Sequence, residues 1–224
     1  MNETPSKIKL VGFDWDGTLA KMPVKYSWSL IDKGLGCTPR MRELEARYNN
    51  KEIDYKTWCE LCVAVYQEFG LTKKKFYDII EGNIAPHKGA IETINALRSR
   101  GIKVGIISSG IYNMYEYVSN KFGLSVDYVS FTAKLNFDEK DGKLTGGEYN
   151  SYDYEGKLDM FKIYCKKANV SIHETLYVGD SHNDIPLFKA SNGVAFSSDS
   201  DDLKKCAKYI IKGDDMTELL DYVT

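Results

Sequence analysis

Residues 8–18 read Ile8-Lys9-Leu10-Val11-Gly12-Phe13-Asp14-Trp15-Asp16-Gly17-Thr18. Apart from Lys9 the first six are apolar or glycine, the composition of a strand buried on both faces, and the run ends abruptly at two aspartates two residues apart. Such a strand belongs to a parallel sheet with helices on either side. The chain after Pro86 supplies its partners. Periodicity there predicts a helix over 88–100, a strand over 102–108, a helix over 111–122 and a short strand near Tyr128. A hairpin is expected next, with Asp141-Gly142 turning between Leu135-Asn136-Phe137 and Lys143-Leu144-Thr145. A helix over 157–168 then leads into Leu176-Tyr177-Val178-Gly179-Asp180, and Gly193-Val194-Ala195-Phe196 reads as another buried strand. The expected class is α/β, a Rossmann-like parallel sheet core formed by 1–20 and 85–224.

Between those parts the pattern changes. From Ser27 to about Gly82 helical repeats follow one another: Trp28-Leu30-Ile31-Leu35, Met41-Leu44-Tyr48, Trp58-Leu61-Cys62-Val65 and Phe76-Ile79-Ile80. Gly34, Gly36, Pro39, Asn49-Asn50 and Gly70 punctuate them. A small α-helical domain over 21–84, inserted after the first strand, is the expectation. Cys59 and Cys62 form a C-x-x-C inside it, but no second pair or nearby histidine completes a zinc set. The five cysteines show no framework spacing, so free thiols in a reducing compartment are expected, with Cys59 and Cys62 as buried apolar packing.

A chain of 224 residues with 43% hydrophobic content can bury a true core without disulfide staples. Thirty Lys and Arg against 32 Asp and Glu give a net charge of −2, and no global field attracts nucleic acid or anionic lipid. Neither partner is expected. Apolar runs such as Val104-Gly105-Ile106-Ile107 fall far short of the roughly 18 residues of a membrane helix. Met1-Asn2-Glu3-Thr4-Pro5 lacks the apolar stretch of a signal peptide. A soluble, cytoplasmic monomer or homodimer is the expectation.

In open parallel sheets ligands bind beyond the carboxyl ends of the strands. At those ends this sequence collects Asp14 and Asp16, Ser108-Ser109-Gly110, and Gly179-Asp180 with Asn183-Asp184 just beyond. Four carboxylates on one rim repel strongly in a poorly solvated cleft. A hard divalent cation with oxygen ligands, magnesium, relieves that repulsion. Such a metal with open positions meets phosphate oxygens, for which hydroxyls, amides near Gly110 and the cation Lys157 are at hand. The reaction class that follows is phosphoryl transfer: one carboxylate attacks phosphorus to give an aspartyl-phosphate, and a second protonates the leaving alkoxide, then activates water. Spacing alone leaves open which of Asp14 and Asp16 takes which part.

Four motifs in order resemble those of the haloacid dehalogenase superfamily, and within it the phosphoserine phosphatase-like branch. They are D-x-D-G-T at Asp14-Trp15-Asp16-Gly17-Thr18, an apolar run ending in serine at Ile106-Ile107-Ser108, a lysine at Lys157, and G-D-x-x-N-D at Gly179-Asp180-Ser181-His182-Asn183-Asp184. The resemblance covers nearly the whole chain. It implies Asp14 as nucleophile and Asp16 as general acid/base, with Thr18 orienting Asp16. Magnesium would be held by the Asp14 carboxylate, the Asp16 main-chain carbonyl and Asp180, with Asp184 acting through water or from behind. Ser108 and the Ser109 amide would bind the phosphoryl group, Lys157 would neutralise charge, and Asn183 would line the pocket. A carboxylate at Asp16 resembles the phosphatases and phosphomutases, not the dehalogenases or ion-pumping ATPases. The implied function is a magnesium-dependent phosphatase of a small phosphorylated metabolite, with the insert as a helical cap. A phosphotransferase or mutase, or an idle binding module of the same fold, are the alternatives.

The resemblance departs at the positions that read the substrate. Phosphoserine phosphatases carry a glutamate shortly after the first motif, where this chain has Lys21-Met22-Pro23-Val24. Their cap arginine aligns near Glu60, an acid expected to repel a substrate carboxylate, which argues against phosphoserine. Arg40, Arg42 and Arg47 are candidate replacements. His87, His173 and His182 are expected at the surface and Trp15 above the phosphate. Of the cap tyrosines Tyr26, Tyr48, Tyr55, Tyr66 and Tyr77, one or two are expected to line the pocket and the rest to pack.

Overall fold

The computed structural model describes residues 7–150 and 154–223; the N-terminal stretch Met1–Pro5 lies outside them. Strand β1 (Leu10–Phe13) is followed by a two-residue strand β2 (Ala20–Lys21). Helices α1 (Ser27–Leu35), α2 (Thr38–Asn49), α3 (Tyr55–Glu68) and α4 (Lys73–Ile80) come next, then a second short strand β3 (Ala85–Pro86). β2 and β3 pair antiparallel, Ala20 with Pro86 and Lys21 with Ala85, so the four helices leave and rejoin the sheet through one narrow ribbon. The chain continues as α5 (Ala90–Ser99), β4 (Lys103–Ile111), α6 (Tyr112–Phe122), β5 (Tyr128–Phe137), β6 (Leu144–Tyr149) and α7 (Glu155–Ala168). It closes with β7 (Thr175–Gly179), α8 (Ile185–Ala190), β8 (Asn192–Phe196), α9 (Asp201–Cys206) and β9 (Tyr209–Ile211).

The alternation of helix and strand builds the expected α/β class. A seven-stranded sheet runs β6-β5-β4-β1-β7-β8-β9. All neighbours are parallel except β6, the second arm of the hairpin turned at Asp141-Gly142. Wholly buried β1 lies between β4 and β7, so the loops carrying the first, second and last motifs leave three adjacent strands on the same side. Leu10, Ile107, Phe161, Tyr164 and Tyr177 pack on one face of the sheet. Val11, Phe13, Ile106 and Val178 join the core on the other, which continues into the inserted helices. Gly12 is needed for the first face, because a Cβ there would meet the rings of Phe161 and Tyr177 at 2.6 Å.

Four expectations change. β4 continues past Ser108 to Ile111, with a shift of register that bulges the strand where the second motif ends. β5 is a ten-residue strand, not a short one, because its second half pairs with β6. Trp15 is fully buried and meets Tyr115 and Phe131 edge-on, at 5.6 and 5.9 Å, well away from any space above a phosphate. It shares the core-facing parity of Phe13, which leaves the other parity to Asp14 and Asp16. His87 is half-buried with its ring edge against Phe196 at 5.3 Å, because it follows β3 into the core. Cys37, Cys59, Cys62 and Cys165 are buried and Cys206 is half-buried, and among the described residues none of them is in a disulfide. Among the described residues no helix is long and apolar enough to cross a membrane.

Candidate active site

Asp14 is the first residue after β1. Its N–H donates to the Val178 carbonyl at 2.9 Å, which ties the loop to β7, and its Oδ1 accepts from the Trp15 N–H at 2.7 Å. Its Oδ2 lies 3.0 Å from the Lys157 ammonium, which reaches Asp184 Oδ1 at 2.8 Å on its other side. Lys157 and Asp184 have no exposed surface. Burial works against the Lys157 charge, but Asp14 and Asp184 outweigh it and hold the ammonium more firmly protonated than usual. One carboxylate oxygen from each of Asp14, Asp180 and Asp184 falls within 4.8 Å of the others. Burial, with the Asp14 charge adding to it, lifts both Asp180 and Asp184 well above the usual carboxylate range. Three acids share one lysine, and an all-oxygen trio short of positive charge fits a hard divalent cation. Gly17 lets the first loop close over Asp180: its φ is +75°, and a Cβ would sit 2.5 Å from Asp180 Oδ2.

Asp16 is held from the inserted helices. Its Oδ2 accepts from both the N–H and the hydroxyl of Ser27, each at 2.8 Å, at the first residue of α1. Its Oδ1 is sealed from solvent and has no hydrogen-bond partner among the described residues. Burial first, then the nearby Asp14 charge, outweigh the two Ser27 bonds and push the carboxyl up to about 7. A group so poised can both give and take a proton near neutrality. Thr18 takes a different post from the expected one: its hydroxyl faces Asp180 Oδ1 at 3.5 Å, and Ser27 performs the orienting of Asp16. Serine at a helix start is common as a cap, so Ser27 carried no separate signal in the sequence.

Ser108, buried in β4 where the bulge begins, accepts the Gly110 N–H on its hydroxyl at 2.9 Å. A Cβ at Gly110 would lie 2.6 Å from the Ser27 hydroxyl and 3.2 Å from Asp16 Oδ2, so only glycine lets the two loops meet. The Ser109 carbonyl accepts from the Trp28 indole at 3.1 Å and the Tyr55 hydroxyl at 2.6 Å. Asn183 Oδ1 accepts from the Ser181 hydroxyl at 2.7 Å and lies 3.4 Å from the Lys157 ammonium. Asp14, Asp16, Ser108, Ser109 and Asn183 thus line one cavity of about 630 Å³, with Lys157, Asp180, Asp184 and Thr18 around its floor.

The inserted helices roof this cavity. Tyr26, Tyr48 and Tyr55 border it, whereas Tyr66 and Tyr77 pack elsewhere. Glu60 corrects the substrate argument: it is exposed on the outer side of α3, 3.9 Å from Lys56, and does not face the cavity. Arg42 borders the cavity, while Arg40 and Arg47 pair outside it with Glu68 and Glu52. His182 is exposed and sits at the cavity edge; His173 is exposed elsewhere.

Several lining residues carried no signal in the sequence, among them one buried acid. Asp32, one turn beyond Trp28 on α1, is 8% exposed and accepts the Tyr66 hydroxyl at 2.7 Å. Burial, with Glu45 adding and Tyr66 opposing, pushes its carboxyl up to about 6. A carboxyl raised in the fold above its unfolded value near 3.9 stabilises the fold fully below about pH 4, and that contribution is lost as pH rises through about 6. Asparagine keeps the acceptor for Tyr66 without the charge. Asp32→Asn is therefore expected to stabilise the protein at pH 8 by on the order of 1–3 kcal/mol, a melting temperature about 2–12 °C higher, with no gain at pH 4. Calorimetry at the two pH values checks this, and a variant no more stable than wild type at pH 8 contradicts it.

Residues 8–192 match the family model of the haloacid dehalogenase-like hydrolases. The chain is 29% identical over 216 residues to a phosphoserine phosphatase of Lactococcus lactis, covering 96% of this chain and 94% of that one. It is 29% identical over 221 residues to the phosphoserine phosphatase of Methanocaldococcus jannaschii, covering 97% and 98%. A solved phosphoserine phosphatase with a phospho-aspartyl intermediate analogue superposes with a TM-score of 0.77 at 27% identity, covering 97% of this chain and all of that one. With this sheet order, this grouping of acids around one lysine and these likenesses, the chain belongs to the haloacid dehalogenase-like hydrolases, on their phosphoserine phosphatase-like branch.

Proposed function

We propose that the protein is a magnesium-dependent phosphatase that hydrolyses a small phosphomonoester through an aspartyl-phosphate on Asp14. The observation that carries this reading is the pair of unlike carboxyls at one cavity wall: Asp14 ion-paired with Lys157, and Asp16 raised to about 7 with one oxygen unpartnered among the described residues. An Asp14 oxygen attacks phosphorus as the ester P–O bond breaks, and Asp16 gives its proton to the departing alkoxide. The ionised Asp16 then takes a proton from water, whose oxygen attacks the same phosphorus; the bond to Asp14 breaks and inorganic phosphate leaves. Ser108, the Ser109 amide, Lys157 and Asn183 hold the phosphoryl oxygens.

The Asp14 and Asp180 carboxylates and the Asp16 main-chain carbonyl would hold magnesium, with Asp184 behind them. The ion supplies charge neutralisation between the carboxylate nucleophile and the anionic phosphate. Segment 21–84 acts as a cap hinged at the β2–β3 ribbon, and closing it brings Ser27 onto Asp16, which ties the proton donor to a shut, water-poor cavity. Phosphate release from a panel of phosphomonoesters, with and without added alcohols as rival acceptors, tests the activity. For the ion, magnesium at about 100 times its dissociation constant is expected to stabilise the fold by about 2.7 kcal/mol, roughly 5–10 °C in melting temperature. EDTA should reverse this and stop turnover. Melting and hydrolysis that ignore the chelator would contradict the ion site.

A further inference from the structure

Beyond the phosphate end, the cavity is walled by a continuous cluster of rings. Trp28 and Trp58 have centroids 5.1 Å apart, Tyr55 lies 5.5 Å and Tyr48 6.1 Å from Trp58, and Tyr48 and Tyr55 are separated by 5.7 Å. All four residues border the cavity. Trp28 and Tyr55 are anchored to the Ser109 carbonyl, so the rings begin within a few atoms of the phosphate-binding serines. Asp32 joins them from the next turn of α1. It is a buried carboxylate bonded to the neutral Tyr66 hydroxyl, and among the described residues no lysine, arginine or histidine side-chain nitrogen lies within 4 Å of its oxygens. A buried acid without a counter-charge is costly, and here it borders the cavity. Electron-rich ring faces beside such an acid suit an organic cation, above all a bulky, weakly hydrated ammonium. Lys157 at the floor is taken up by Asp14 and Asp184, and the lysines and arginine lining the outer cavity, Lys33, Arg42 and Lys51, are exposed, where water and salt screen them, while Asp32 acts from a low-dielectric position.

We propose that Trp28, Trp58, Tyr48, Tyr55 and Asp32 form an ammonium subsite, and that the phosphatase acts on phosphomonoesters of short alkylammonium alcohols, preferring quaternary or otherwise alkylated nitrogen. The inference rests on the phosphatase reading above. Its test is built on binding, so that it stands apart from turnover. With Asp14→Asn protein and millimolar magnesium, calorimetric titration compares choline phosphate with its uncharged isostere, in which a tert-butyl group replaces the trimethylammonium. Choline phosphate should bind at least tenfold more tightly. Adding Asp32→Asn or Trp58→Leu should cut that ratio to about threefold or less, and Asp32→Asn is expected to be the more stable protein at neutral pH, so its loss of preference is not loss of fold.

A ratio below tenfold, no binding of either compound, or phosphoserine binding tenfold more tightly than choline phosphate would each overturn the subsite. Hydrolysis of para-nitrophenyl phosphate by the wild-type protein, measured in parallel, reports separately on the phosphatase reading. Its failure would count against the reaction, whereas equal affinities with hydrolysis intact would count against the subsite alone.

Discussion

Asp14→Asn is expected to lower kcat by at least about 10⁴-fold, the size of loss seen when one member of a catalytic set acting as a unit is removed. Asparagine has the same shape and keeps an oxygen to accept the Trp15 N–H, which is bonded to Asp14 Oδ1 at 2.7 Å. It lacks the carboxylate that attacks phosphorus. Lys157 retains Asp184 as partner at 2.8 Å, and the variant relieves the repulsion that Asp14 exerts on Asp180 and Asp184. The fold should therefore survive, with a melting temperature within a few degrees of wild type. Acid-quenched wild-type protein mixed with substrate should carry a phosphoryl group on the peptide containing Asp14, and the variant should carry none. A variant within tenfold of wild type, or a phosphoryl group trapped on another residue, would sink the assignment.

What the sequence disclosed and what it hid divide along a physical line. Strand ends are local: a buried run that stops at Asp14, Ser108 or Asp180 states both the strand and the polar residue at its carboxyl end, and parallel pairing brings those ends together. The sheet and the catalytic floor were legible for that reason. The cap residues were not, because which side of α1 or α3 faces the cavity depends on how the helices lie over the sheet. Trp58 and Glu60 show the size of the error. They are two residues apart on α3, about 200° around the helix, and the first borders the cavity while the second points outward. Ser27 and Asp32 were missed likewise. Each acts across space, on Asp16 eleven residues earlier and with Tyr66 on another helix. Trp15 failed for a simpler reason: β alternation carried two residues past the strand end at Phe13 sends its ring into the core.

Lys157→Met should be the most destabilising single change at the site. The side chain has no exposed surface and its ammonium is shared by Asp14 at 3.0 Å and Asp184 at 2.8 Å. Methionine fills similar space but leaves three neighbouring acids without a cation. Breaking a buried pair by removing one partner costs about 3–5 kcal/mol, roughly 6–20 °C in melting temperature for a chain of this length. Burial already raises Asp184 despite the lysine, and without it Asp184 rises further. A carboxyl raised in the fold contributes stability below its unfolded value near 4 that is lost as pH climbs through the folded one. The deficit against wild type should therefore be largest above about pH 7 and shrink towards pH 5. Magnesium should restore part of the melting temperature, since it also supplies positive charge to Asp14 and Asp180. It should not restore turnover, which is expected to stay about 10²–10³-fold down because the phosphoryl oxygens have lost a fixed donor. Equal melting curves across pH, or rate and stability recovering together with magnesium, would show that Lys157 serves only as a counter-charge or not at all.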